Sequence, residues 1–104
     1  MINKKYRLKF LSLFSEDLNE IVDYLNVELN NTDAAVALVD EIEKAINIRL
    51  RNPKSFELYK SSNIRKYPYY RIYVKNFIIF YVVYDDVMEV RRILYNRREW
   101  HSLI

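Results

Sequence analysis

Apolar and basic residues alternate through "YRLKF" at positions 6–10, the pattern of a strand with one buried face. The period then lengthens. Behind Ser15, the residues Leu18, Ile21, Val22, Leu25 and Leu29 recur at helical spacing, and Glu16 and Asp17 sit where a helix N-terminus favours negative charge. This predicts an amphipathic helix over "EDLNEIVDYLNVEL". The polar "NNTD" interrupts it and offers Thr32 or Asp33 as the next N-cap. A second stripe, Ala35, Leu38, Val39, Ile42, Ile46 and Leu50, predicts a helix from Ala34 to about Arg51, with Arg49 and Arg51 at its negative end and Pro53 beyond. Two helices joined by so short a turn form an antiparallel hairpin.

Residues 54–68 show no period and read as a loop. Three apolar stretches follow, "YYRIYV", "FIIFYVVY" and "VMEVRRILY", separated by Lys75-Asn76 and Asp85-Asp86, and predict a three-stranded antiparallel meander. The chain contains no Gly, so Asn76 and the aspartates are expected to take any left-handed turn conformation. The whole is an α+β fold: an N-terminal strand, a two-helix hairpin, and a meander packed on the helices.

Two-residue turns fix a register. Val74 faces Phe77, Arg71 faces Phe80, Tyr84 faces Val87, and Phe80 is expected to face Arg91. Alternation then puts Ile72, Val74, Ile79, Tyr81, Met88, Val90, Arg92 and Leu94 on one face, under the helices. Arg92 fits there only by carrying its guanidinium out at an edge. The other face collects Arg71, Tyr73, Phe80, Tyr84, Glu89, Arg91, Ile93 and Tyr95, and reads as an exposed surface of arginines and tyrosines over an apolar floor.

Composition narrows the picture. A chain of 104 residues, 51% hydrophobic and 30% charged, is expected to form a single domain, 1–104. With no Cys there is no disulfide or thiolate metal site, and no cofactor is expected. "FIIFYVVY" is too short to span a bilayer and the N-terminus lacks a signal-peptide pattern, so a cytoplasmic protein with no membrane partner is expected. Residues 1–52 hold 7 Lys/Arg against 9 Asp/Glu, whereas residues 53–104 hold 10 against 5, together with eight of the ten tyrosines. Cations interleaved with rings suit a nucleic-acid surface, since the charges neutralise phosphate and the rings stack on unpaired bases; a solvated basic face over a tyrosine-packed sheet is the plainer alternative.

The segments "YRIYV", "FIIFYVV" and "VRRILYNRREW", in this order behind a strand and a helix hairpin, resemble the RelE/ParE superfamily of bacterial toxins over nearly the whole chain. The resemblance implies the toxin of a type II toxin–antitoxin pair, neutralised by a cognate antitoxin that wraps it. Members divide into RelE-like ribosome-dependent endonucleases of messenger RNA and ParE-like inhibitors of DNA gyrase, besides some without clear activity. Arg71 matches the family's sheet arginine. Tyr95, Arg97 and Arg98 fall in its C-terminal motif, with Tyr95 where many relatives carry His.

The leading expectation is a metal-independent endoribonuclease acting on ribosome-bound mRNA. There a ribose 2′-OH attacks its own phosphate, which needs a base, an acid and cations on the developing charge. Arg71, Arg91 and Arg98 are candidates for the cations, Tyr95 for proton transfer, and Glu89 for a second base; Lys60, Arg65, Lys66, Tyr73 and Arg97 are candidates for contacting RNA. The structural alternatives are phosphate positioning without chemistry for the arginines and packing at the sheet edge for Tyr95. Trp100 and His101 read as a core plug and as incidental. The alternative functions are gyrase inhibition and an inactive partner-binding module.

Overall fold

The structure, a computed structural model, describes residues 5–59 and 66–96. The expected architecture is present: strand β1 (Arg7–Phe10), helices α1 (Ser12–Asp23) and α2 (Thr32–Leu50), then strands β2 (Tyr70–Val74), β3 (Phe77–Tyr84) and β4 (Val87–Tyr95). The sheet order is β1-β4-β3-β2, with β1 parallel to β4 and the meander antiparallel.

Helix α1 begins and ends differently from the sequence pattern, and α2 ends as expected but begins earlier. Helix α1 starts at Ser12, ahead of Ser15, because the chain turns directly out of the sheet: Leu11 N–H still donates to Val90 O at 2.9 Å while Leu11 O already accepts from Phe14. Its N-cap, Leu11, makes no side-chain cap. At the far end α1 widens into a π turn, Tyr24–Glu28, where Leu29 N–H donates to Tyr24 O at 3.1 Å. The cap of α2 is Asn31, not Thr32 or Asp33; its Oδ1 accepts from Ala34 N–H at 3.0 Å.

The two hairpin turns fall on Lys75-Asn76 and Asp85-Asp86 as expected, but the left-handed residues are Lys75 (φ 51°) and Asp85 (φ 51°). The first position of each turn takes the positive φ, so Asn76 does not.

Phe14 from α1 and Leu38, Ile42 and Ile46 from α2 pack on Ile72, Val74, Ile79, Tyr81, Met88, Val90 and Ile93, which forms the main core. The register holds at Val74–Phe77, Arg71–Phe80 and Tyr84–Val87. It then slips: Tyr81 pairs with Val90 and Phe80 with Arg92, leaving Arg91 as the extra residue of a β-bulge. The expected pairing of Phe80 with Arg91 is therefore wrong, and beyond the bulge the faces exchange. Ile93 joins the helix-side core and Leu94 turns to the other side.

That other side is not an open surface. Ile78, Phe80 and Val82 are 0% exposed and form a second core with Tyr69 and Leu94, covered by Tyr59 and Tyr67 from the segment read as a loop. The segment returns along the sheet: Leu58 bridges Tyr70, and Tyr59 N–H donates to Tyr69 O at 2.7 Å. Eight consecutive apolar residues in β3 are thus explained, since a strand buried on both faces has no reason to alternate.

Candidate functional site

Alternation along β2 aims Ile72 and Val74 at the helices and so turns Arg71 and Tyr73 to the opposite side. There the Arg71 guanidinium lies 5.2 Å from the centre of the Tyr59 ring and 5.8 Å from that of Tyr73, within reach of cation–π attraction. Tyr73 is 57% exposed. Lys66 lies 5.4 Å from the Tyr67 ring, which meets Tyr84 at 5.1 Å, while Tyr59 and Tyr69 both press edge-on against Phe80. Rings and cations alternate across this face, and no carboxylate among the described residues pairs with Arg71.

Arg49 holds the covering segment in place, a role the sequence hides. Its position near the end of α2 suggests only a favourable interaction with the helix dipole. In the structure its Nη1 donates to Arg71 O at 2.8 Å and to Tyr81 Oη at 3.0 Å, and its guanidinium lies 3.5 Å from the Phe56 ring centre. Tyr81 in turn donates to Pro53 O at 2.7 Å. Burial raises the Tyr81 pKa, against the pull of Arg49, so the phenol stays protonated and remains a donor. A basic residue one turn before a proline was the only available sign of this clamp.

Glu89 sits deeper than an exposed face would allow, at 4% exposure. Its Oε2 accepts from the Tyr84 hydroxyl at 2.8 Å and its Oε1 from Arg91 Nε at 2.8 Å, and Lys9 Nζ stands 3.6 Å away. Burial alone would raise its pKa, but the bonds from Tyr84 and Arg91 and the charges of Arg91 and Lys9 outweigh it and hold the carboxyl below the usual range. The bond to Glu89 raises the pKa of Tyr84 for the complementary reason. Glu89 and Arg91 are thus partners of each other, with Tyr69 as a further hydrogen-bond partner of Arg91.

Tyr95 goes elsewhere. It pairs with Phe77, their rings 5.0 Å apart, and both line a groove of about 570 Å³ on the helix side with Tyr24, Leu25, Leu29 and Leu38. The bulge is the cause: the slip at Arg91 carries Tyr95 to the face opposite Arg71. The sheet therefore separates Arg71 from Tyr95. Of the residues expected to act together, Lys66 and Tyr73 share the ring-and-cation face with Arg71, whereas Lys60, Arg65, Arg97 and Arg98 lie outside the described residues. Among the described residues no three His, Cys, Asp or Glu side chains cluster as a metal site would require, and no helix is long and apolar enough to cross a membrane.

Residues 8–100 match the family described as the ParE toxin of the type II toxin–antitoxin system parDE. No curated protein sequence matches the chain. Among solved structures it is similar to a chain of the chromosomal ParDE TA system from P. aeruginosa, at 18% identity over 90% of this chain and 99% of that one, with a TM-score of 0.70. A chain of the archaeal RelE–RelB complex from Pyrococcus horikoshii OT3 is similar at 16% identity, covering 90% and 98%, with a TM-score of 0.61. One of the E. coli DinJ–YafQ toxin–antitoxin complex is similar at 10% identity, covering 88% and 92%, with a TM-score of 0.55. At such identities these likenesses concern the fold.

Proposed function

This chain belongs to the ParE toxin family of type II toxin–antitoxin systems, and on that footing we propose that it arrests growth by binding DNA gyrase and not by cutting messenger RNA. The observation that carries this reading is the separation of Arg71 and Tyr95 by the sheet. Cleavage through the 2′-OH requires proton-transfer groups and phosphate-binding cations within hydrogen-bond reach of one phosphate. Tyr95 stands on the far face, and Glu89 is enclosed with its oxygens engaged by Tyr84 and Arg91. A binding toxin needs no such pair. It needs a shaped surface, and the rings and cations around Arg71 supply one. Its neutralising partner is a cognate antitoxin.

The test incubates purified protein with gyrase and supercoiled DNA and, separately, with translating ribosomes. The expected result is trapped gyrase cleavage complexes with intact message. Specific cuts in the ribosomal A site, lost in Arg71→Ala, would overturn the reading in favour of the endonuclease.

A further inference from the structure

On the side of the sheet away from the helices, Arg7, Lys9 and Arg91 are already engaged, the first with Asp86 and the other two with Glu89. Arg71 and Lys66 meet no carboxylate among the described residues. Each stands against rings instead: Arg71 lies 5.2 Å from the Tyr59 ring centre and 5.8 Å from that of Tyr73, and Lys66 lies 5.4 Å from that of Tyr67. Tyr73 is 57% exposed. Strand β3 sets the spacing, because Tyr73 pairs with Ile78, Arg71 pairs with Phe80, and the Tyr67 ring meets that of Tyr84. From Ile78 to Tyr84 is about 20 Å at ~3.3 Å per residue, the length of about six nucleotides at the ~3.4 Å spacing of charges along a stacked strand. Asp85 and Asp86 follow Tyr84 and close the track at the hairpin end. Glu57, exposed two residues before Tyr59, is the carboxylate that works against an anion there.

We infer that this track binds a single strand of DNA, the strand held open by gyrase, with a base stacked on Tyr73 and phosphates against Arg71 and Lys66. The inference rests on the gyrase reading above and deepens it: the toxin's partner is the cleavage complex with its DNA, and not the protein surface of gyrase alone. The rings favour nucleic acid over an acidic protein. A carboxylate needs only a cation, whereas every nucleotide brings an anion and a flat ring together, and a solvent-open tyrosine beside an arginine without a carboxylate complements both. The base must be unpaired, since in a duplex its faces are covered by the neighbouring bases. Neither stacking nor phosphate contact needs a ribose 2′-OH, so DNA satisfies the track.

Fluorescence anisotropy tests this, with purified toxin, a labelled single-stranded DNA of about 12 nucleotides, the RNA of the same sequence, and a polyglutamate peptide. DNA binding should weaken with salt, and Arg71→Ala should flatten the log-log slope by about 0.7. Tyr73→Ala should weaken binding about 5- to 100-fold, the conservative Tyr73→Phe should recover most of that loss because the ring remains, and Glu57→Gln should tighten binding. Thermal melts confirm that the variants fold. Trapped gyrase cleavage complexes should fall in Arg71→Ala and Tyr73→Ala and recover in Tyr73→Phe. Polyglutamate bound as tightly as DNA would assign the track to an acidic protein surface and overturn the inference. Cleavage complexes undiminished in both alanine variants would overturn it too, and either result leaves the gyrase reading intact. RNA bound about tenfold more tightly than DNA would replace the proposed ligand. A parent toxin that traps no cleavage complexes would remove the gyrase reading, and the inference with it.

Discussion

Arg92 on β4 and Asp17 on α1 close a two-bond fork across the bulge, Nε to Oδ2 at 2.8 Å and Nη2 to Oδ1 at 2.9 Å. The same carboxylate accepts from Ile93 N–H at 3.1 Å, so one side chain fixes both the guanidinium and a backbone donor just past the bulge. The bond to Asp17 outweighs burial and raises the pKa of Arg92. The sequence expectation that Arg92 must snorkel to an edge is replaced by a specific partner 75 residues away.

Asp17→Ala should therefore cost about 2–3 kcal/mol in urea unfolding, since it leaves a half-buried cation and an amide unpaired. Arg92→Ala should cost less, because the Ile93 bond survives. In a double-mutant cycle the two changes should be non-additive, and simple additivity would show that the fork contributes nothing.

Acid unfolding reports on Glu89. Its folded pKa lies below the ordinary 4.5, so its contribution to stability is fully present above that value and lost as pH falls through the folded pKa. Glu89→Gln should lower stability at neutral pH, with the gap to the parent closing in acid below about pH 4.5. Urea midpoints measured from pH 7 to pH 3 check this; a constant gap would assign the loss to packing.

The two faces of the sheet predict unequal costs for three side chains. Phe80→Ala should destabilise by about 3–5 kcal/mol as a core truncation on the side first read as exposed. Arg91→Ala should also be costly, about 2 kcal/mol, because it takes from the enclosed carboxylate of Glu89 the charged donor at Oε1 and leaves it Tyr84 and Lys9. Arg71→Ala should cost only about 1 kcal/mol or less, the scale of an exposed cation–π contact. Thermal melts rank the three.

Tyr95→Phe removes a hydroxyl and keeps the ring against Phe77. Under the gyrase reading it should arrest growth as the parent does when expressed without antitoxin. Lost arrest in a variant that folds normally would restore Tyr95 to a chemical role.

The strand, the helix pair and the meander were legible because each is encoded in a short window: helical spacing in Leu38, Ile42 and Ile46, and a two-residue turn at Asp85-Asp86. So was the exchange of charge between the two halves. The caps were less so, because Asn31, Thr32 and Asp33 are all competent and only backbone geometry chose Asn31. The ring-and-cation neighbourhood of Arg71 was half visible, since its residue types were apparent but not the return of Tyr59 and Tyr67 over Phe80.

What the amino-acid order settled by itself was therefore the identity and succession of the elements, the register near each turn, and Arg71 on the side away from the helices. What tertiary structure alone decided was which groups meet. The slip at Arg91 is invisible to periodicity because a bulge changes parity by one residue without changing composition. It is held from outside the strand, by Asp17 on α1. That one displaced residue sends Ile93 to the helix core, Leu94 away from it, and Tyr95 to the face opposite Arg71, because every side chain after a parity change must turn over with the backbone that carries it.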